Sequence, residues 1–125
     1  SAHGGLIDKQ EREMLENVLL LETRLARQVM IPRNRVVMAD GARLAGELLA
    51  ELVQTPHMRF PVFEGSSDHI IGILNLKDLF ALVQENPEAD IRPILREALV
   101  APETNTVSEL WEAMQQQHSS LALLF

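Results

Sequence analysis

Apolar and polar positions follow two different periods along this chain, and each change of period marks an element. Met14, Val18, Leu21 and Leu25 recur at helical spacing and form one apolar stripe. Asp8-Lys9-Gln10-Glu11 ahead of them has the form of a capping box, an acceptor followed three residues later by Glu. Ile31-Pro32 should close that helix, because the residue before proline avoids the α region. Val36-Val37-Met38 is a short β-prone run. Asp40 then reads as an N-cap for a second helix, with Leu44, Leu48 and Leu52 on one face and Thr55-Pro56 as its stop. Phe60-Pro61-Val62-Phe63 reads as a strand whose proline places it at an edge or a strand start. Gly65-Ser66-Ser67-Asp68 is a turn. Ile70-Ile71-Gly72-Ile73-Leu74 is a nearly continuous apolar strand, covered on both faces. A helix carrying Leu79, Leu82 and Val83 follows, and residues 84–90 form an acidic linker around Pro87.

The pattern then restarts. Ala98-Leu99-Val100 is a short strand, and Thr106-Val107-Ser108-Glu109 is another capping box. Val107, Leu110 and Met114 form an apolar stripe, and Leu121–Phe125 is a strand. At an offset of 61 or 62, Glu47 and Leu48 fall on Glu109 and Leu110, and Leu52 on Met114. His57 falls on His118, and Phe60-Pro61-Val62 on Leu121-Ala122-Leu123. The chain therefore holds a repeat of about 60 residues whose second copy lacks a last strand and helix.

Composition narrows the function classes. The 125 residues are 46% hydrophobic and 23% charged, as in a soluble globular domain. No apolar run reaches the ~18 residues of a membrane span, and the N-terminus has no signal-peptide pattern. Ser1-Ala2 reads as a cloning remnant, and residues 3–6 read as loose. The absence of cysteine excludes disulfides, a thiolate nucleophile and a zinc ribbon. The net charge of −7 argues against a nucleic-acid partner. Charge is uneven, at −3 over residues 1–23, +3 over 24–59 and −7 over 60–125. Arg24, Arg27, Arg33 and Arg35 follow one another with no acid between them. Such a block suits a small anionic ligand, or simply pairs with acids elsewhere. His57, His69 and His118 lack the close spacing of metal ligands, so no metal site is assigned. With no Gly-rich phosphate loop, nucleophile elbow or acid–base pair, no catalytic residue is assigned and the chain is not read as an enzyme. Trp111 lies in a predicted helix and reads as core or interface.

A twofold strand–helix–strand–strand–helix repeat of this length resembles the cystathionine-β-synthase (CBS) domain pair, an α/β fold. Val29-Met30-Ile31-Pro32-Arg33 resembles the opening motif of a first module. His57-Met58-Arg59-Phe60-Pro61-Val62 resembles its middle strand, and Gly72-Ile73-Leu74-Asn75-Leu76-Lys77-Asp78-Leu79 its closing motif. The leader Leu6-Ile7-Asp8 with Glu13-Met14-Leu15-Glu16-Asn17-Val18, and Val100-Ala101-Pro102-Glu103-Thr104, are similar to the CorC/HlyC-type magnesium and cobalt efflux proteins, also called hemolysin-related. The resemblance runs from Leu6 to Phe125. It implies a linker helix over residues 1–28, a first module over 29–86 and a partial second module over 87–125. It also implies a regulatory pair on the cytoplasmic side of the inner or plasma membrane, attached to a transmembrane domain outside this chain. Such pairs bind adenosine nucleotides, AMP or ATP and in some members with Mg²⁺, and form homodimers.

The resemblance also implies a nucleotide site in the first module. Asp78 would accept both ribose hydroxyls, although it equally suits the first turn of a helix. Asn75 stands where many family members carry Thr or Ser against phosphate or ribose, and it can cap the helix instead. Arg59 could fork onto a phosphate or sit in a surface ion pair. Met58 replaces a small hydroxyl residue often found before that arginine. Phe60, Pro61 and Val62 are adenine-slot walls or plain core. Ile31, Pro32 and Val37 could form the opposite wall, and Arg33 is a further phosphate candidate. Ser119 and Ser120 keep in the second module the hydroxyls that the first has lost. The contrasting expectation is a structural dimerisation module that binds no nucleotide.

Overall fold

The computed structural model describes residues 8–125. The readings made for Ser1-Ala2, for residues 3–6 and for Ile7 lie outside them. The fold is mixed α and β. In chain order, the helices are α1 (Lys9–Thr23), α2 (Ala26–Val29), α3 (Ala45–Leu52), α4 (Leu76–Glu85) and α5 (Val107–Gln116). The strands are β1 (Ala39–Asp40), β2 (Arg59–Glu64), β3 (Ser66–Asn75), β4 (Leu99–Ala101) and β5 (Ala122–Leu124). The described residues divide into two compact units. One is Pro32–Ala98, and the other joins residues 8–31 to Leu99–Phe125.

Pro32–Ala98 holds a sheet in the order β1-β2-β3, with β1 parallel and β3 antiparallel to β2. Leu48 and Leu52 of α3, Phe60 and Val62 of β2, Leu74 of β3, Leu79 of α4 and Ile91 are buried together. Each such side chain withdrawn from water contributes ~1.5–3 kcal/mol. The first strand forms at Ala39–Asp40, not at Val36–Met38, because the pairing with β2 begins opposite Val62. Asp40 does not cap α3. Its carboxylate accepts from the Ala42 N–H at 3.0 Å and closes a local turn. The N-cap position of α3 is Leu44, and carbonyls from the later linker satisfy the first helical N–H groups. Ala45 N–H donates to Ala89 at 3.1 Å and Gly46 N–H to Pro87 at 2.7 Å.

Pro61 is the third residue of the central strand, against the expectation of an edge or a strand start. It stands opposite Ile73, whose N–H and C=O both bond Arg96 at 2.9 Å, away from β2. Position 61 therefore has no ladder bond to make toward β3. The two-residue β1 starts at the next position, so the missing N–H faces no partner there either. The expected four-residue turn at Gly65–Asp68 is tighter. Gly65, at φ 76°, alone separates Glu64 from Ser66, and β3 begins immediately. The same Arg96 bonds close the outer edge of β3. At the crossing, a Cβ on Gly72 would lie 3.0 Å from both the Arg96 carbonyl and the Leu95 Cβ.

The second unit has a shorter sheet, β4 parallel to β5. The first helix breaks before Ile31-Pro32. Leu25 is extended and bridges Thr106, and Val107 N–H donates to the Arg24 carbonyl at 2.8 Å. That strand-like contact ends α1 at Thr23. The apolar stripe of α1 is not buried, and Met14, Leu15, Val18, Leu19, Leu20 and Leu21 are exposed. Thr106 caps α5, its hydroxyl accepting from Glu109 N–H at 3.1 Å while the Glu109 carboxylate accepts from Thr106 N–H at 3.0 Å. The Thr106 N–H holds the Glu109 carboxyl below the usual range. The far end of α5 closes with Ser119 N–H on Met114 at 2.9 Å and His118 N–H on Gln115 at 3.3 Å. This is a Schellman closure with His118 at the left-handed position, φ 52°.

The two sheets share one register. Ala39 pairs with Val62 as Ala101 pairs with Leu124. Gly41 N–H reaches Phe63 at 2.8 Å as Glu103 N–H reaches Phe125 at 2.8 Å. The offset is therefore 62 on the strands as on the helices. Val62 matches Leu124 and His57 matches Ser119, which corrects the sequence alignment of this strand by one residue.

Two stability predictions follow. Gly72→Ala forces its methyl against backbone and should cost about 1–3 kcal/mol, read as a lower denaturant midpoint at unchanged slope. A wild-type midpoint would contradict the close crossing. His118→Gly relieves the left-handed strain and should add about 0.5–1 kcal/mol, net of the flexibility glycine gives the unfolded chain. A lower melting temperature would contradict the Schellman assignment.

Candidate functional site

Met58, Arg59, Asn75 and Asp78, among the residues picked out for a ligand, meet where β2, β3 and α4 join. Arg59 opens β2 directly opposite Asn75, the last residue of β3. The sequence turns into α4 there because Asn75 caps it, its side-chain oxygen accepting from Lys77 N–H at 3.0 Å. The Leu76 N–H is tied to the Met58 carbonyl at 2.8 Å, which fixes the start of the helix against the start of β2. Asp78 lies in the first helical turn, where the helix dipole favours a carboxylate. Leu79, one residue on, is fully buried and anchors that turn.

Asp78 is engaged. Arg96 grips it with a forked pair of bonds, Nε to Oδ2 at 3.0 Å and Nη2 to Oδ1 at 3.3 Å. Those bonds, then the carboxylate's charge, raise the arginine pKa above its ordinary value. The Asp78 side chain is 30% exposed and that of Arg96 64%, so water and a ligand both reach the pair. Arg59 and Met58 are exposed on the same corner. The exposed His57 ring sits edge-on to Phe60, centroids 6.3 Å apart.

The other candidates are placed differently. Phe60, Pro61 and Val62 are fully buried within the unit. Val37 packs half-buried against the same core. Pro32 leads into a 3₁₀ turn at Arg33–Arg35, and Arg33 pairs with Asp68 on the exposed part of β3. Ile31 belongs to the other compact unit. An open hollow of about 460 Å³ on the outer side of β3 is lined by Glu64, Ile71, Arg92, Leu95, Arg96 and Glu97. Its charges are largely matched. Arg92 joins Glu64 at 2.9 Å and Asp90 at 3.0 Å, and its backbone and side-chain donors pull the Asp90 carboxyl down. Among the described residues, no group of three or more His, Asp or Glu is placed to hold a metal ion, and no helix is long and apolar enough to cross a membrane.

Sequence reasoning missed Arg96 and Lys77. Arg96 carries no motif, since the side chain matters only where the linker crosses β3. The usable signal was Gly72, because an isolated glycine in an apolar strand marks a close backbone approach.

No protein-family profile matches the chain. It is 33% identical to the magnesium and cobalt efflux protein CorC of Escherichia coli K12 over 125 residues, 99% of this chain and 43% of that protein. The chain thus spans less than half the length of the curated relatives it matches. A conserved domain of unknown function from Neisseria meningitidis MC58 superposes with a TM-score of 0.85 at 30% identity, over 95% of this chain and 77% of that one. The CBS domain of a bacterial CNNM/CorC family Mg²⁺ transporter in complex with ATP superposes with a TM-score of 0.85 at 27% identity, over 92% and 82%. The chain therefore has the CBS-domain fold and is similar in sequence to CorC over nearly its whole length.

Proposed function

We propose that this chain is the nucleotide-sensing module of a divalent-cation efflux protein. ATP or AMP, with or without Mg²⁺, would bind at the corner of β2, β3 and α4. The observation that carries this reading is the corner itself, one acidic group beside cationic groups at the start of a helix. Asp78 presents two carboxylate oxygens to a ribose diol. Arg59 and Lys77, with the first turn of α4, favour a phosphate. The ATP complex of the related CBS domain supports the ligand class. Binding would act by population shift, with nucleotide favouring one arrangement of the modules and that preference biasing an attached membrane domain. The cytoplasmic face of the membrane is the place for such a sensor.

A second reading is a structural module that pairs copies of the chain and binds no nucleotide. It draws on the exposed apolar side chains of α1, on Trp111 at 62% and Phe125 at 70% exposure, and on β5, which bonds only β4 among the described residues. Both readings include a homodimer.

Titration with AMP, ADP and ATP, each with and without Mg²⁺, separates them. A nucleotide at 100 times its dissociation constant should stabilise the fold by about 2.7 kcal/mol, and Asp78→Ala should abolish most of that gain. No thermal shift with any of them would contradict sensing. Sedimentation at rising concentration should reveal self-association, and a monomer throughout would contradict pairing through the apolar surface.

A further inference from the structure

We infer that Arg96 is a built-in competitor for the nucleotide, holding the Asp78 carboxylate until a ribose diol displaces it. This inference rests on the nucleotide reading of the corner. Three observations carry it. The Arg96 fork occupies both carboxylate oxygens, the same atoms a vicinal diol would use. The Arg96 backbone is fixed independently, by the paired 2.9 Å bonds to Ile73 and the close seat over Gly72. The side chain can therefore swing away while its tether stays in place. The Arg96 side chain is 64% exposed, so its release frees an already hydrated cation and meets no buried obstacle.

The arrangement makes the linker a tuning element. Ligand affinity is lowered by the fraction of molecules in which Asp78 is already taken. An exposed ion pair sets that reduction at a modest scale. The released guanidinium stands beside the ligand, in the segment that runs from α4 to β4. Occupancy of the corner is thereby reported to the chain connecting the two modules.

The test is calorimetric titration of ATP into the full 125-residue chain and into Arg96→Gln, Arg96→Lys, Asp78→Ala and the Arg96→Gln/Asp78→Ala pair. Arg96→Gln keeps both backbone bonds to Ile73, and its melting temperature checks that the fold is retained. The latch predicts that Arg96→Gln binds ATP about two- to fivefold more tightly, with Arg96→Lys between it and wild type. The gain must vanish on the Asp78→Ala background. Unchanged or weaker binding by Arg96→Gln, with Asp78→Ala still impaired, overturns the latch and leaves the nucleotide reading standing. Unimpaired binding by Asp78→Ala, or no binding by either wild type or Arg96→Gln, overturns both.

Discussion

The crossing of Leu95-Arg96 over Gly72 is the constraint on which the rest of the Pro32–Ala98 unit depends. Two backbone bonds to Ile73 close the outer edge of β3, and the missing Cβ lets the segment lie against the strand. Because Ile73 spends both backbone groups outward, Pro61 can occupy the central strand without an orphaned partner. Ile91, Ile94 and Leu95 are drawn onto the core by the same path. The segment leading up to the crossing caps α3 through the Pro87 and Ala89 carbonyls. The crossing also delivers the Arg96 side chain to Asp78. One glycine thus links strand pairing, core closure and the chemistry of the candidate site.

The second unit uses the same register with less cover. Leu48 and Leu52 of α3 are 1% exposed, whereas their counterparts Leu110 and Met114 are only half-buried. Phe60 and Val62 are fully buried, and their counterparts Ala122 and Leu124 are not. In the first unit α4 packs on α3 and β3 pairs with β2. Among the described residues, β5 pairs with β4 alone, and α5 meets α1 and α2, which leave it only half-buried. Local devices hold this unit instead: the Thr106 capping box, the Leu25–Thr106 bridge and the Schellman closure at His118. The capping contribution of Glu109 depends on pH. Its carboxyl pKa is lowered by folding, so the contribution is present above the ordinary value of 4.5 and is lost as pH falls through the folded one.

Much of the fold was legible in the sequence because it is encoded locally. The stripe of Leu79, Leu82 and Val83 and the Thr106 capping box gave α4 and α5 close to their observed positions. What was not legible depended on distant partners. Asp40 looked like a cap because nothing in the sequence reveals that Pro87 and Ala89 carbonyls fill that role. Leu25 fitted the helical stripe, yet a bridge to Thr106 pulls it out of the helix. Pro61 argued for an edge because its tolerance depends on Ile73 bonding elsewhere. The site divides the same way. Asp78, Asn75 and Arg59 stand in recognisable motifs and meet at one corner. Arg96 reaches that corner from 18 residues downstream of Asp78 and leaves no mark in the sequence.

The account turns on a nucleotide occupying the corner where β2 and β3 meet α4. Backbone amide chemical-shift mapping during an ATP titration tests this most directly, because it reports place as well as binding. The predicted result is saturable shifts concentrated at Met58, Arg59 and Asn75 through Leu79, with Arg96 responding in step. Shifts confined to residues outside the Pro32–Ala98 unit, or no saturable shifts at all, would contradict it.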